Sequence, residues 1–153
     1  MPRADKIRLL IVDDHKVVRN GLKFFISLYD DIEVVGEARN GQQAVEQCAT
    51  HQPDVVLMDM VMPVMDGPTA TRLIREQFPQ VQVVALTSFD EEEIVQRAIE
   101  AGAVGYLYKD VEEDELIDAI RSAREGRPVL APEAMKALMD RTVAPVESPA
   151  VEA

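Results

Sequence analysis

The amino-acid sequence predicts an α/β fold, a doubly wound parallel sheet of five strands with helices on both faces. Three observations carry that expectation. Short apolar runs alternate with segments of helical period five times over. Several runs are apolar at consecutive positions, as strands covered on both faces must be. The repeat of about 20–28 residues suits right-handed strand–helix–strand crossovers, and five such units favour an open sheet over a barrel.

The elements follow in order. The first apolar run, Ile7–Asp13 (IRLLIVD), is followed by a helical stripe of Val18, Leu22 and Phe25. Val17, Gly21, Phe24 and Leu28 form a second apolar stripe on the same helix, readable as a wide core face or as a dimer contact. The second run is Ile32–Glu37 (IEVVGE), then a helix carrying Ala44, Val45 and Cys48, opened by Asn40 before Gly41. The third is Asp54–Asp59 (DVVLMD), then Ala70, Leu73, Ile74 and Phe78 on a helix opened by Asp66-Gly67-Pro68. Proline just inside a helix start after an aspartate cap is the expected chemistry there. The fourth is Val81–Thr87 (VQVVALT), then Ile94, Val95, Ala98 and Ile99, closed by Gly102. The fifth is Ala103–Lys109 (AVGYLYK), then Leu116, Ile117, Ile120 and Ala123, closed by Gly126-Arg127-Pro128. One domain over 1–126 is expected. Residues 127–153 contain four of the nine prolines and no glycine, and read as a linker with a short helix at 132–141 and a disordered tail.

Composition bounds the function. The 153 residues carry 16 Lys+Arg against 28 Asp+Glu, a net charge of −12, with 47% hydrophobic and 29% charged residues. Residues 1–126 hold 24 of the acids and 13 of the bases, so the acidity belongs to the domain and not to the tail. An acidic chain lacks the basic face that phosphate backbones and anionic membranes require. One cysteine permits no internal disulfide and fits a reducing, cytoplasmic compartment. The longest apolar stretch, Val55 to Met65, is broken by Asp59 and Pro63 and is far short of the roughly 18 residues of a membrane span.

In open parallel sheets, ligands bind beyond the carboxyl ends of the strands, at the switch in strand order. Those ends carry Asp13-Asp14, Glu37, Asp59, Thr87-Ser88 and Lys109-Asp110. A flavodoxin-like order of 2-1-3-4-5 makes the first and third strands neighbours and brings Asp13 and Asp14 beside Asp59. Clustered carboxylates repel unless one is protonated or a cation sits among them, and oxygen-only ligands suit Mg²⁺. A lysine on the same rim adds a phosphate-binding charge. Together these residues make a phosphoryl-transfer site, with Asp59 as carboxylate nucleophile and Lys109 and Thr87 holding phosphoryl oxygens.

Each residue alone has a plainer reading. Asp13-Asp14 alone reads as a helix N-cap pair, a reading set aside by Asp59 and Lys109 at the matching strand ends. Asp59 alone reads as a turn-opening residue, but Asp66 fills that role better, which leaves Asp59 for chemistry. His15 invites a phosphohistidine or metal reading but reads better as the start of the first helix, His51 reads as a surface loop residue, and Cys48 as a small buried hydrophobe. Met58, Met60, Met62 and Met65 read as packing. Asp90 to Glu93 reads as the solvated, dipole-favoured start of the fourth helix. Tyr106 and Tyr108 share one strand face, and alternation does not choose between them.

Four stretches, LLIVDDH at 9–15, DVVLMDMVMPVMDG at 54–67, VVALTSF at 83–89 and GAVGYLYKD at 102–110, resemble the receiver domain of bacterial two-component response regulators over roughly residues 5–126. VRNGL at 18–22, VVGEARNG at 34–41 and GYLYKD resemble the branch that carries a LuxR/NarL-type helix-turn-helix output domain. The resemblance implies a CheY-like fold with Asp59 as phosphoacceptor, taking phosphate from the histidine of a sensor kinase. It implies Mg²⁺ bound by Asp14 directly, by Asp13 mainly through water, by Asp59, and by the backbone carbonyl of Val61. Thr87 and Lys109 would contact the phosphoryl group, and Tyr106 would be the aromatic switch that follows Thr87. It further implies a signalling protein that is not an enzyme beyond self-catalysed phosphotransfer and autodephosphorylation. Its partners would be a sensor kinase, a second copy in a homodimer, and DNA only through an output domain. No recognition-helix pattern follows residue 126, so a fragment or an output-less regulator acting by protein contacts is expected. Asp110 replaces the proline that many receivers have after the lysine, which removes the usual reason for a cis peptide there. The apolar Val61 and Phe89, two residues beyond Asp59 and Thr87, are expected to shield an acyl phosphate from water.

Overall fold

The computed structural model describes residues 6–88 and 92–130. Its strands are β1 (Ile7–Val12), β2 (Ile32–Ala38), β3 (Val55–Asp59), β4 (Gln82–Thr87), β5 (Gly105–Tyr108) and β6 (Val129–Leu130). Its helices are α1 (Lys16–Ile26), α2 (Gly41–His51), α3 (Gly67–Gln77), α4 (Glu92–Glu100) and α5 (Glu113–Arg124). The sheet order is β2-β1-β3-β4-β5-β6 and every pairing is parallel. The five expected strands stand in the expected order 2-1-3-4-5.

β3 is buried at all five positions because both faces are covered. Helices α1 and α5 pack on one face of the sheet, and α2, α3 and α4 on the other. Leu10, Val56, Leu57, Val84, Ile117 and Ile120 are among the residues that fill the core. Burial of such side chains contributes about 1.5–3 kcal/mol each relative to exposure. Asn40 and Asp66 cap α2 and α3 as their positions predict, each carboxamide or carboxylate oxygen accepting a backbone N–H at 2.8 Å, from Gln43 and Thr69. Gly67 must be glycine: a Cβ there would stand 2.5 Å from Met60 Cα.

Three features differ from the reading of the sequence or extend it. The sheet runs past Gly126, because Val129 and Leu130 pair with Gly105 and Tyr106 along the β5 edge. A Cβ on Gly105 would lie 1.7 Å from the Val129 carbonyl oxygen, so the bare glycine is what admits β6. The β1–β2 register shifts between Leu9 and Leu10, which pair with Val34 and Gly36 and leave Val35 as the extra residue of a bulge. His51 is the last residue of α2 and not a loop residue: its carbonyl accepts a 2.5 Å hydrogen bond from Arg8, which ties the helix end to β1. The described residues contain no cis peptide bond. Phe89, Asp90, Glu91 and the expected helix at 132–141 lie outside the described residues.

Candidate functional site

The register of the sheet builds the rim. Ile11 pairs with Leu57 and Val12 with Met58, so Asp13 emerges beside Asp59. Asp59 pairs with Leu86 and Thr87 with Tyr108, which sets Thr87 and Lys109 one strand and two strands further along the same rim. The Lys109 N–H donates to the Thr87 carbonyl at 3.0 Å, extending the ladder to the lysine.

Asp13, Asp59 and Thr87 are buried polar residues. Asp14 is exposed. Lys109 Nζ donates to Asp59 Oδ2 at 3.1 Å and lies 3.7 Å from Asp13 Oδ2. The Val61 N–H donates to Asp59 Oδ1 at 3.2 Å, placing the Val61 backbone against the carboxylate, while the Val61 side chain is 51% exposed. Burial pushes the Asp59 carboxyl above its usual range. The Val61 N–H and the Lys109 ammonium oppose that shift without cancelling it, and the Asp13 charge adds to it.

Asp13 Oδ1 accepts the His15 backbone N–H at 2.8 Å, but Asp13 Oδ2 is buried with no hydrogen-bond partner. Such an orphaned buried oxygen is costly unless a cation completes it. Oxygens of Asp13, Asp14 and Asp59 and a ring nitrogen of His15 all lie within 4.8 Å of one another. Three carboxylates with one nearby ammonium leave negative charge over, and an oxygen-rich set of this kind fits a hard divalent ion such as Mg²⁺.

Tyr106 is fully buried, and its hydroxyl lies 3.5 Å from that of Tyr108, the two rings edge to face at 5.6 Å between centroids. It pairs with the small Ala85, two residues before Thr87 on the same face of β4. Burial pushes the Tyr106 hydroxyl up, with Tyr108 reinforcing it, so it remains a neutral donor.

The structure thus brings together Asp13, Asp14, Asp59 and Lys109, with the Val61 backbone beside them and Thr87 and Tyr106 on the adjoining strands. Sequence reasoning ranked one contributor, His15, as a helix start ahead of a metal role, and missed another, Arg19. His15 is the N-cap of α1, as expected, but its side chain makes no cap hydrogen bond. Nδ1 instead lies 3.0 Å from Asp13 Oδ1 and 3.2 Å from Asp14 Oδ1. Arg19 donates to the Asp13 carbonyl at 2.7 Å and to Glu37 at 2.9 Å, holding the end of β1 against β2. The signal available for Arg19 was its place one turn into a helix that follows the acidic pair.

Glu37, the carboxylate on the β2 end, does not join the cluster. Lys23 and Arg19 bind it, and although burial works the other way these partners hold its carboxyl below the usual range. Among the described residues, no helix is long and apolar enough to cross a membrane.

Comparison with known proteins agrees with this geometry. The response regulator receiver domain family matches residues 9–121. The chain is 41% identical over 135 residues to the response regulator protein VraR of Staphylococcus epidermidis, covering 88% of this chain. It spans 65% of the length of that relative. Among solved structures, the response regulator ChrA of a heme-sensing two-component system superposes with a TM-score of 0.76 at 43% identity, covering 91% of this chain and 67% of that one. A LuxR-family two-component response regulator from Aurantimonas sp. SI85-9A1 superposes with a TM-score of 0.84 at 31% identity, covering 90% and 99%. With its acidic pair, its central aspartate and its lysine at the ends of neighbouring parallel strands, the chain belongs to the response regulator receiver domain family.

Proposed function

We propose that Asp59 is the phosphate acceptor of a cytoplasmic two-component signalling pathway, and that its phosphorylation controls transcription in the complete regulator. The observation that carries this reading is the buried Asp59 carboxylate, 3.1 Å from Lys109 Nζ and within 4.8 Å of the acidic pair. In the proposed transfer, an Asp59 oxygen attacks the phosphorus of a phosphohistidine on a sensor kinase. The new P–O bond forms as the P–N bond breaks, and the imidazole leaves with its electron pair. Lys109, now on Asp59 Oδ2, would pair with a phosphoryl oxygen, and the Thr87 hydroxyl, at the next strand end, would donate to another. Asp13, Asp14, Asp59 and the Val61 carbonyl would hold Mg²⁺, which when bound neutralises charge on the phosphoryl oxygens. Neither Met60 nor Val61, the residues next to Asp59, offers an acid or base to activate water. That favours a long-lived acyl phosphate over a phosphohydrolase and suits a signalling acceptor.

Phosphorylation would shift an existing equilibrium through Thr87 and Tyr106 towards the surface of α4 and β5. On the opposite side, Val17, Phe24 and Leu28 of the first helical segment are 83%, 70% and 65% exposed. They are the stripe we assign to contact with a second copy of the chain. DNA would be engaged only through an output domain, as suits the acidity of residues 1–126.

The test is intact mass after incubation with acetyl phosphate and Mg²⁺. Wild type should gain about 80 Da, one phosphoryl group, and Asp59→Ala should gain none. An unlabelled wild type, with a functional kinase also failing, overturns the reading.

A further inference from the structure

We infer that His15 supplies a nitrogen donor to the cation position between Asp13, Asp14 and Asp59, and that this pocket therefore favours zinc over magnesium. The inference rests on the reading of that pocket as a cation site. His15 Nδ1 is already among the carboxylates, 3.0 Å from Asp13 Oδ1 and 3.2 Å from Asp14 Oδ1, and it belongs to the same 4.8 Å cluster as Asp59. The ring is not needed to cap α1, since it makes no cap hydrogen bond. Its position is fixed at the backbone instead, through the His15 N–H to Asp13 Oδ1 at 2.8 Å. With 62% of its side chain exposed, the imidazole can exchange these two contacts for an incoming ion without a rearrangement of the core.

The independent sign that an ion is wanted is Asp13 Oδ2, buried and without a hydrogen-bond partner. Lys109 Nζ is 3.7 Å from it and is already hydrogen-bonded to Asp59. Chemistry then decides which ion. Magnesium is hard, takes oxygen ligands and gains little from an imidazole. Zinc binds imidazole and carboxylate together, and lies well above magnesium in affinity for mixed nitrogen and oxygen sites. Three carboxylates alone would discriminate weakly, so the histidine is the residue that sets selectivity. Zinc held in this way would compete with magnesium at the same carboxylates.

The chain contains only two histidines, His15 and His51, and His51 ends α2 outside the cluster. Imidazole nitrogen spectra can therefore assign the ligand. On adding Zn²⁺ to the full chain, the Nδ1 resonance of His15 should move to the position of a metal-bound nitrogen while His51 stays in place. Mg²⁺ should not produce that shift. In calorimetric titrations His15→Ala should weaken Zn²⁺ binding by about tenfold or more and Mg²⁺ binding by less than about twofold, whereas Asp14→Asn should weaken both. An unmoved His15 nitrogen, or equal loss of both ions in His15→Ala, overturns the inference and leaves the carboxylate site standing. If neither ion binds wild type, the cation site itself fails, and the inference with it.

Discussion

Lys109 Nζ lies 3.1 Å from Asp59 Oδ2 and 3.7 Å from Asp13 Oδ2, so one ammonium serves two buried carboxylates from different strands. Burial alone would lower the lysine's pKa. The hydrogen bond and charge of Asp59, joined by the charge of Asp13, outweigh it and keep Lys109 charged. Replacing it by alanine should slow acetyl phosphate labelling of Asp59 by about 10²-fold, the usual cost of removing one donor from a charge-stabilising site. Labelling rates followed by intact mass check this. A Lys109→Ala protein that labels at the wild-type rate would remove the lysine from the chemistry.

Asp59 carries a stability cost with a definite sign. Its carboxyl is raised above the ordinary value of 3.8, so the folded protein binds that proton more tightly than the unfolded chain. Its contribution is greatest at low pH and falls as pH rises from 3.8 through the raised folded value. At neutral pH the penalty is complete. Asp59→Asn should accordingly unfold at a higher urea concentration than wild type at pH 7, and the gap should close at and below pH 3.8. A gap that is constant with pH would mean that the carboxyl is not raised.

The edge position of β6 depends on Gly105. A Cβ there would meet the Val129 carbonyl oxygen at 1.7 Å and its carbon at 2.5 Å, and both are backbone atoms that a side chain cannot push aside cheaply. Gly105→Ala should detach β6 and cost about 1–3 kcal/mol. The Val129 N–H, which donates to the Val104 carbonyl at 3.2 Å, should lose its protection from hydrogen exchange. Unchanged exchange at Val129 would show that the sheet tolerates the methyl group.

Phe24 is 70% exposed, and a charge there disturbs no core contact. Phe24→Asp should keep stability within about 0.5 kcal/mol, as surface changes do, and should leave labelling of Asp59 intact. It should abolish self-association of the phosphorylated protein in sedimentation. A phosphorylated Phe24→Asp chain that still dimerises assigns the contact to another face.

Much of this was legible beforehand, for identifiable reasons. Runs such as Val55–Met58 have one physical solution, a strand covered on both sides, and the acidic and basic residues that close those runs must then share a rim. What was not legible depended on distance or direction. Val129-Leu130 is too short to show a period, and its pairing is decided by a glycine 24 residues earlier. The bulge at Val35 leaves the apolar pattern of β2 intact and appears only in the pairing. For Phe24 and Leu28 the pattern allowed two readings, and their exposure excludes the wide core face. His15 stood where a helix start was expected and does start one. The direction of its ring follows from the buried carboxylate two residues before it, which a residue-by-residue reading assigned to a metal alone.

Cys48, the only thiol of the chain, is fully buried on the face of α2 that meets β1 and β2. Burial pushes its pKa up to about 12, so the reactive thiolate is scarce in the folded state. Alkylation at this position therefore keeps time for the opening of the domain. Its rate under native conditions reads how often α2 lifts from the sheet, and the change on phosphorylation reports whether the signal tightens or loosens the half of the molecule farthest from Tyr106.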